Sequence, residues 1–242
     1  MKIFKGFALA VSLLTIIPFF KVHDFYKGIN GYAVMFYPLV GFLLGSILYG
    51  VWFFLNPHMP SIHLGILLFG LWVLLTGALH LDGLSDTIDG LFVHKDKALE
   101  VMKDPHTGGM GMIFTVTFLI LKASSLAYLS YLNAMYLLPI ILMLSRFNAV
   151  VAIYLYPYIG GGIASLAKKE LKLSQVFIAF LYVFIISLCI SSFSFIIISL
   201  LLFYIIKLFF IKRYNGFSGD IYGFIIEITE LILLNIIIIG FL

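Results

Sequence analysis

Seven stretches of this chain stay apolar for about the length needed to cross a membrane: residues 33–56, 62–79, 110–131, 134–157, 176–193, 194–211 and 221–242. Roughly 20 mostly apolar residues wound as an α-helix span the hydrocarbon of a bilayer. A segment alone in lipid must satisfy its own backbone N–H and C=O groups, so each stretch is expected to be helical. Composition agrees. Of the 242 residues, 63% are hydrophobic and 11% charged, whereas a soluble domain carries about 25% charged residues. The expected fold is all-α, a polytopic integral membrane helix bundle of about seven spanning helices, forming a single domain over residues 1–242. An eighth segment, 6–20, is shorter and runs into Pro18. It is expected to enter from one face without crossing, and to be retained, because no small-x-small cleavage pattern follows it. The single cysteine, Cys189, excludes an internal disulfide.

The charged residues give the bundle a direction. Lys21 and Lys27, then Lys95, Lys97 and Lys103, then Lys168, Lys169 and Lys172, then Lys212 and Arg213 occupy alternate connections. The intervening connections, near 57–61, 132–133 and 193, hold no Lys or Arg. The positive-inside rule makes the basic face cytoplasmic, in a multi-pass protein of the cell membrane. The formal net charge of +4 does not point to nucleic acid, because its basic residues lie in short loops suited to phosphates of lipids or substrates.

One stretch on that face carries chemistry. In "HLDGLSDTIDGLF", 80–92, Asp82, Asp86 and Asp89 are spaced i, i+4, i+7, one stripe of a helix. Like charges at this spacing repel, and Asp is a mediocre helix former. The stripe therefore asks for a cation, and hard oxygen ligands in a small cluster suit Mg²⁺. Gly83 and Gly90 permit close approach of backbone or phosphate. A solvated acidic turn is the plainer alternative, but such turns mix charges. His80 points off the stripe and reads as a boundary residue or hydrogen-bond donor.

Three further pieces complete the candidate site. In "VMKDPHTGGMG", 101–111, Asp104 and Lys103 precede Gly108 and Gly111 at the start of a span, where exposed N–H groups suit a phosphate. In "NGFSGDIYGFIIEITE", 215–230, Asp220 opens the last span and is a candidate metal ligand, while Glu227 and Glu230 lie inside an apolar run. Intramembrane acids face a polar interior more often than lipid. Arg146 is equally deep, with a phosphate or one of these acids as its expected partner. Lys122 is a weaker candidate, since lysine can snorkel. There is no Ser or Cys nucleophile placed with a His partner. Acids for a metal, glycines for phosphates and a buried arginine favour phosphoryl transfer by positioning and charge neutralisation.

At these residues the chain resembles cobalamin-5′-phosphate synthase, the adenosylcobinamide-GDP ribazoletransferase family. The order of pieces matches over most of the length: a "TxxP"-like turn at Thr15 to Pro18, the aspartate box, the "MKD" loop with its glycines, an arginine in a later span and the acidic ending. The resemblance implies a Mg²⁺-dependent membrane enzyme that joins adenosylcobinamide-GDP to α-ribazole or its 5′-phosphate and releases GMP. It carries the family's acidic positions onto Asp82, Asp86, Asp89 and Asp104, its loop glycines onto Gly108 and Gly111, and its C-terminal acids onto Asp220, Glu227 and Glu230. This chain departs from the pattern at Pro105-His106-Thr107, at Ser145 before Arg146 and at Ser218 before Gly219-Asp220.

Two other readings compete. A CDP-alcohol phosphotransferase also clusters aspartates at a membrane boundary, but its box carries Ala-Arg where this chain has Leu84-Ser85. An ion-coupled transporter would use Arg146, Glu227 and Glu230 as relays, yet the sequence shows no internal repeat of the kind such folds carry.

Overall fold

A computed structural model describes residues 2–17, 26–190 and 193–241. Pro18, Lys21 and Leu242, which figure in the expectations above, lie outside these residues. The described chain is a helix bundle. α1 (Lys2–Leu14) packs on α2 (Ile29–Met35) and α3 (Tyr37–Leu55). Its 13 residues reach about 20 Å at 1.5 Å per residue, short of a hydrocarbon layer of roughly 30 Å.

Among the described residues, five helices are long and apolar enough to cross a membrane. They comprise α3, α7 (Gly109–Tyr131), α8 (Leu138–Leu155), α11 (Phe193–Tyr214) and α12 (Gly219–Gly240). Two further helix pairs are apolar enough only when each pair is taken together, and both are sharply bent. α4 (Ser61–Thr76) turns by 85° into α5 (Leu79–Leu91), and α9 (Ile163–Glu170) turns by 97° into α10 (Leu173–Cys189). A short α6 (Ala98–Val101) lies between α5 and α7. α8 is the axle: every residue from Leu138 to Val150 is buried, against α3, α10, α11 and α12. Outward-facing Phe53, Phe54, Ile120 and Ile205 stay exposed, as expected where lipid is the solvent.

The α4–α5 elbow departs from the continuous apolar segment expected at 62–79. Gly77 ends α4 in the left-handed conformation (φ 59°), and Ala78 follows it there at φ 57°. A left-handed glycine is the ordinary helix terminator. The second left-handed residue, without a glycine's freedom, costs about 1–2 kcal/mol, which the surrounding packing must offset. The Ile16 N–H donates to the Leu75 carbonyl at 2.9 Å and ties the end of α1 to this elbow. The elbow sends α5 across the end of the bundle that carries the basic loops, onto the first turns of α7 and α12. We read α5 as lying at the membrane face, outside the spanning segments.

Candidate active site

α5 is positioned by close backbone approach. A Cβ added to Gly83 would come within 2.9 Å of the Asp220 carbonyl oxygen, and one on Gly223 would meet the His80 carbonyl at 3.0 Å. Only glycine lets the two helices touch this closely. At its far end, Arg213 donates to the carbonyls of Leu91 and Val93, both at 2.9 Å, and so takes up acceptors that a helix C-terminus leaves unpaired. Asp220 is placed by its own segment. Phe217 pairs with the 157–159 chain, its N–H donating to Pro157 and its carbonyl accepting from Ile159, each at 3.0 Å. The Ser218 hydroxyl then caps α12 by accepting the Ile221 N–H, the usual work of Ser at an N-cap.

The three stripe aspartates are helical and share a face, yet they do three different things. Asp82 is exposed, Asp86 is half-buried and Asp89 is buried. The Asp89 carboxylate accepts the N–H of Gly108 at 2.8 Å and of Gly111 at 2.7 Å. The anion-binding helix start expected for a phosphate is thus filled by a carboxylate of the same chain. A side chain at either glycine would collide with it. Burial, then the charges of Asp82, Asp220 and Asp89, push the Asp86 carboxyl up from 3.8 to about 7. Asp82, Asp86 and Asp220 therefore form one electrostatic group at the crossing of α5 and α12.

Asp104 stands apart from that group. It is exposed, and its carboxylate accepts the His106 N–H at 2.9 Å and contacts the His106 ring Nδ1 at 2.8 Å. These contacts hold its pKa below the usual carboxylate value. Among the described residues, no three His, Cys, Asp or Glu side chains converge as a ready-made metal cage. Mg²⁺ does not require one, because it keeps several waters and binds through one or two carboxylates plus substrate phosphates. Oxygen donors that repel one another, beside open space, fit that pattern.

The deeper charges form a second, separate group. Lys122 on α7 binds Glu227 and Glu230 on α12, both at 2.5 Å, and the Arg146 guanidinium on α8 also binds Glu230. The Ser145 hydroxyl donates to Glu230 at 3.0 Å. All four charged side chains are buried, so their two positive and two negative charges balance. Arg146 thus meets an acid, as one of its two expected partners. Lys122 does not snorkel: its ammonium lies 4.0 Å from the centre of the Trp72 ring, in the bundle interior. Among the described residues, no hydrogen bond links this group to the stripe.

Two cavities adjoin at Asp220. One, of about 290 Å³, is lined by Asp82 and Asp220 together with apolar residues that include Leu14, Ala149 and Ile153. The other, of about 380 Å³, is bounded by Lys103, Tyr158, Ser218 and the glycines 160 and 161. Gly219 and Asp220 line both.

Comparison with known proteins settles the kinship. The family description cobalamin-5-phosphate synthase matches residues 6–238. The chain belongs to the cobalamin-5-phosphate synthase family. It is 35% identical to the adenosylcobinamide-GDP ribazoletransferase of Desulforamulus reducens, over 98% of this chain and 97% of that one. The enzyme of the same name from Treponema denticola is 32% identical over 96% of each chain, and that from Acinetobacter baumannii is 32% identical over 94% of each. No solved structure matches the chain. Of the cavity residues of this cobalamin-5-phosphate synthase family member, Tyr222 carries no reading from the sequence, and His80 reads there as a boundary residue or hydrogen-bond donor. His80 follows from the helical period, since it lies three residues before Gly83 on the face of α5 that crosses α12; Tyr222 is only the sequence neighbour of Gly223, and its own spacing does not mark it. That crossing is invisible until the partner helix is known.

Proposed function

We propose that this protein transfers the phosphocorrinoid group of adenosylcobinamide-GDP to α-ribazole or its 5′-phosphate, releasing GMP. The observation that carries the reading is the meeting of two cavities at one carboxylate, Asp220, opposite Asp82 and Asp86. Two chambers that share one carboxylate suit a transfer between two substrates. Asp82, Asp86 and Asp220 would hold Mg²⁺. When bound, Mg²⁺ supplies positive charge to the diphosphate and to the leaving phosphate.

The chain's own groups do the rest. Lys103, in the second cavity, offers a mobile cation to the nucleotide phosphates. Asp89 fixes α5 to the start of α7, so the stripe cannot tilt. A ribazole hydroxyl oxygen forms a bond to the corrinoid-side phosphorus, and the bond from that phosphorus to the bridging oxygen breaks. GMP carries away the bridging oxygen, and the hydroxyl proton passes to a carboxylate of the group. The deep Lys122–Glu227–Glu230–Arg146 network supports the three helices that meet there. The active face is cytoplasmic in this reading, which rests on the Lys and Arg pattern.

The test is nucleotide release. Membranes carrying the protein convert adenosylcobinamide-GDP and α-ribazole into a cobalamin, release GMP in equal amount, and stop when EDTA is added. CDP-diacylglycerol with a small alcohol gives no CMP. Release of CMP, with none of GMP from the corrinoid, moves the assignment to the CDP-alcohol phosphotransferases. For orientation, in a Cys189→Ser background, a cysteine replacing His58 reacts with an impermeant reagent on intact cells and one replacing Lys97 does not; the reverse overturns the cytoplasmic placement.

A further inference from the structure

The apolar cavity holds two polar groups that nothing in the protein satisfies. His80 is 4% exposed, and among the described residues neither ring nitrogen has a hydrogen-bond partner. The Tyr222 hydroxyl, also buried, has none either. Both residues are among those that line the same 290 Å³ space. A buried polar group left unpaired costs about 1–3 kcal/mol, and native proteins leave few such groups without a reason. A neutral imidazole presents one N–H donor and one bare nitrogen acceptor.

We propose that this cavity is the chamber for the azole base of the acceptor nucleoside, with the His80 imidazole donating to the base's one free ring nitrogen. This deepens the transferase reading and rests on it. The argument is a match of polar counts. An azole joined to ribose through one nitrogen keeps a single ring nitrogen with a free lone pair, and the rest of a bicyclic azole is apolar. Leu14, Ala149 and Ile153 cover the apolar faces, His80 serves the lone pair, and the Tyr222 hydroxyl remains for the sugar. Guanine fits badly, because its O6, N7 and N2 amino group would face apolar walls unpaired. A corrin macrocycle is far too large for this space. The sugar end of an azole nucleoside seated here lies toward Asp82 and Asp220, which line the same cavity. The nucleotide is left to the neighbouring cavity with Lys103.

The test uses the purified full-length protein in nanodiscs and isothermal titration with α-ribazole and, separately, GMP. His80→Phe weakens α-ribazole binding about 10- to 100-fold and leaves GMP binding unchanged. His80→Gln, which keeps a donor, recovers part of the loss, and Tyr222→Phe gives a smaller one. In turnover the same variants raise KM for α-ribazole and leave KM for adenosylcobinamide-GDP in place. Thermal unfolding identifies a variant that fails to fold; His80→Gln and Tyr222→Phe then carry the test. Unchanged α-ribazole affinity in the folded variants overturns the proposal, and so does an equal loss of GMP binding. Wild-type protein that binds α-ribazole but releases no GMP from the activated corrinoid sinks the transferase reading instead.

Discussion

Asp89 on α5 accepts the N–H of Gly111 on α7 at 2.7 Å, and through this bond the helix that bears the acidic stripe is anchored to the start of a membrane span. A carboxylate on exposed N–H groups at a helix N-terminus gains from both hydrogen bonding and the helix dipole. The bond separates Asp89 from its neighbours. Asp89→Ala leaves two N–H groups unpaired and lowers stability by about 1–3 kcal/mol, read as a lower unfolding temperature in detergent. Asp82→Ala and Asp86→Ala remove repulsion in the metal-free protein, so they abolish turnover without lowering that temperature. Equal destabilisation by all three would mean that the stripe is structural throughout.

The glycine at the α5–α12 crossing makes a second, sharper case. Gly83→Ala adds a Cβ within 2.9 Å of the Asp220 carbonyl oxygen, so backbone must give way. Such overpacking costs roughly 1–3 kcal/mol, and the shift separates Asp82 from Asp220. Expected is a folded protein in the membrane with turnover reduced at least tenfold and a higher Mg²⁺ requirement. Gly50→Ala, where a Cβ meets nothing within 4 Å, leaves both unchanged. Wild-type metal response in Gly83→Ala would disconnect the crossing from the site.

The buried network behaves as a unit. Lys122→Met leaves Glu227 and Glu230 opposite Arg146 alone, an uncompensated negative charge in a low-dielectric interior. Breaking a buried pair in this way costs about 3–5 kcal/mol, enough to deplete the protein from membranes. Pairing Lys122→Met with Glu227→Gln removes both charges and restores most of the loss. Expression and unfolding temperature of the single and double variants check this coupling. A double variant no better than the single would show that Lys122 acts through packing on Trp72 instead.

Much of this architecture was legible in the residues. The spans declare themselves because lipid tolerates little else, and the stripe declares its helix because Asp82, Asp86 and Asp89 repeat with the helical period. The elbow at Gly77-Ala78 was hidden because apolarity reports environment, not backbone direction; Thr76-Gly77 as a helix end was the available sign. The division of labour within the stripe was hidden for a related reason. Seven residues of helix also advance about 10 Å, so Asp82 and Asp89 share a face and still reach different neighbours, α12 and α7. The depth of Glu227 was readable by the same arithmetic. Its partner Lys122 ranked only as a weaker candidate, because a lysine in a span, seen alone, is equally able to reach the surface.

The last prediction concerns Asp86 in the metal-free protein. Burial and the neighbouring carboxylates raise it from 3.8 to about 7, so the folded state holds its proton more tightly than the unfolded chain does. Its contribution to stability is complete below about pH 4 and is lost as the pH rises through 7. In EDTA, the unfolding temperature should fall between pH 5 and pH 7 and level off above. Asp86→Asn cannot ionise and should flatten that slope. Added Mg²⁺ binds the carboxylate form and competes with the proton, so its stabilising effect should be greatest above pH 7 and fade toward pH 5. A slope that persists unchanged in Asp86→Asn would assign the pH response to another group and remove the electrostatic argument for a cation at this crossing.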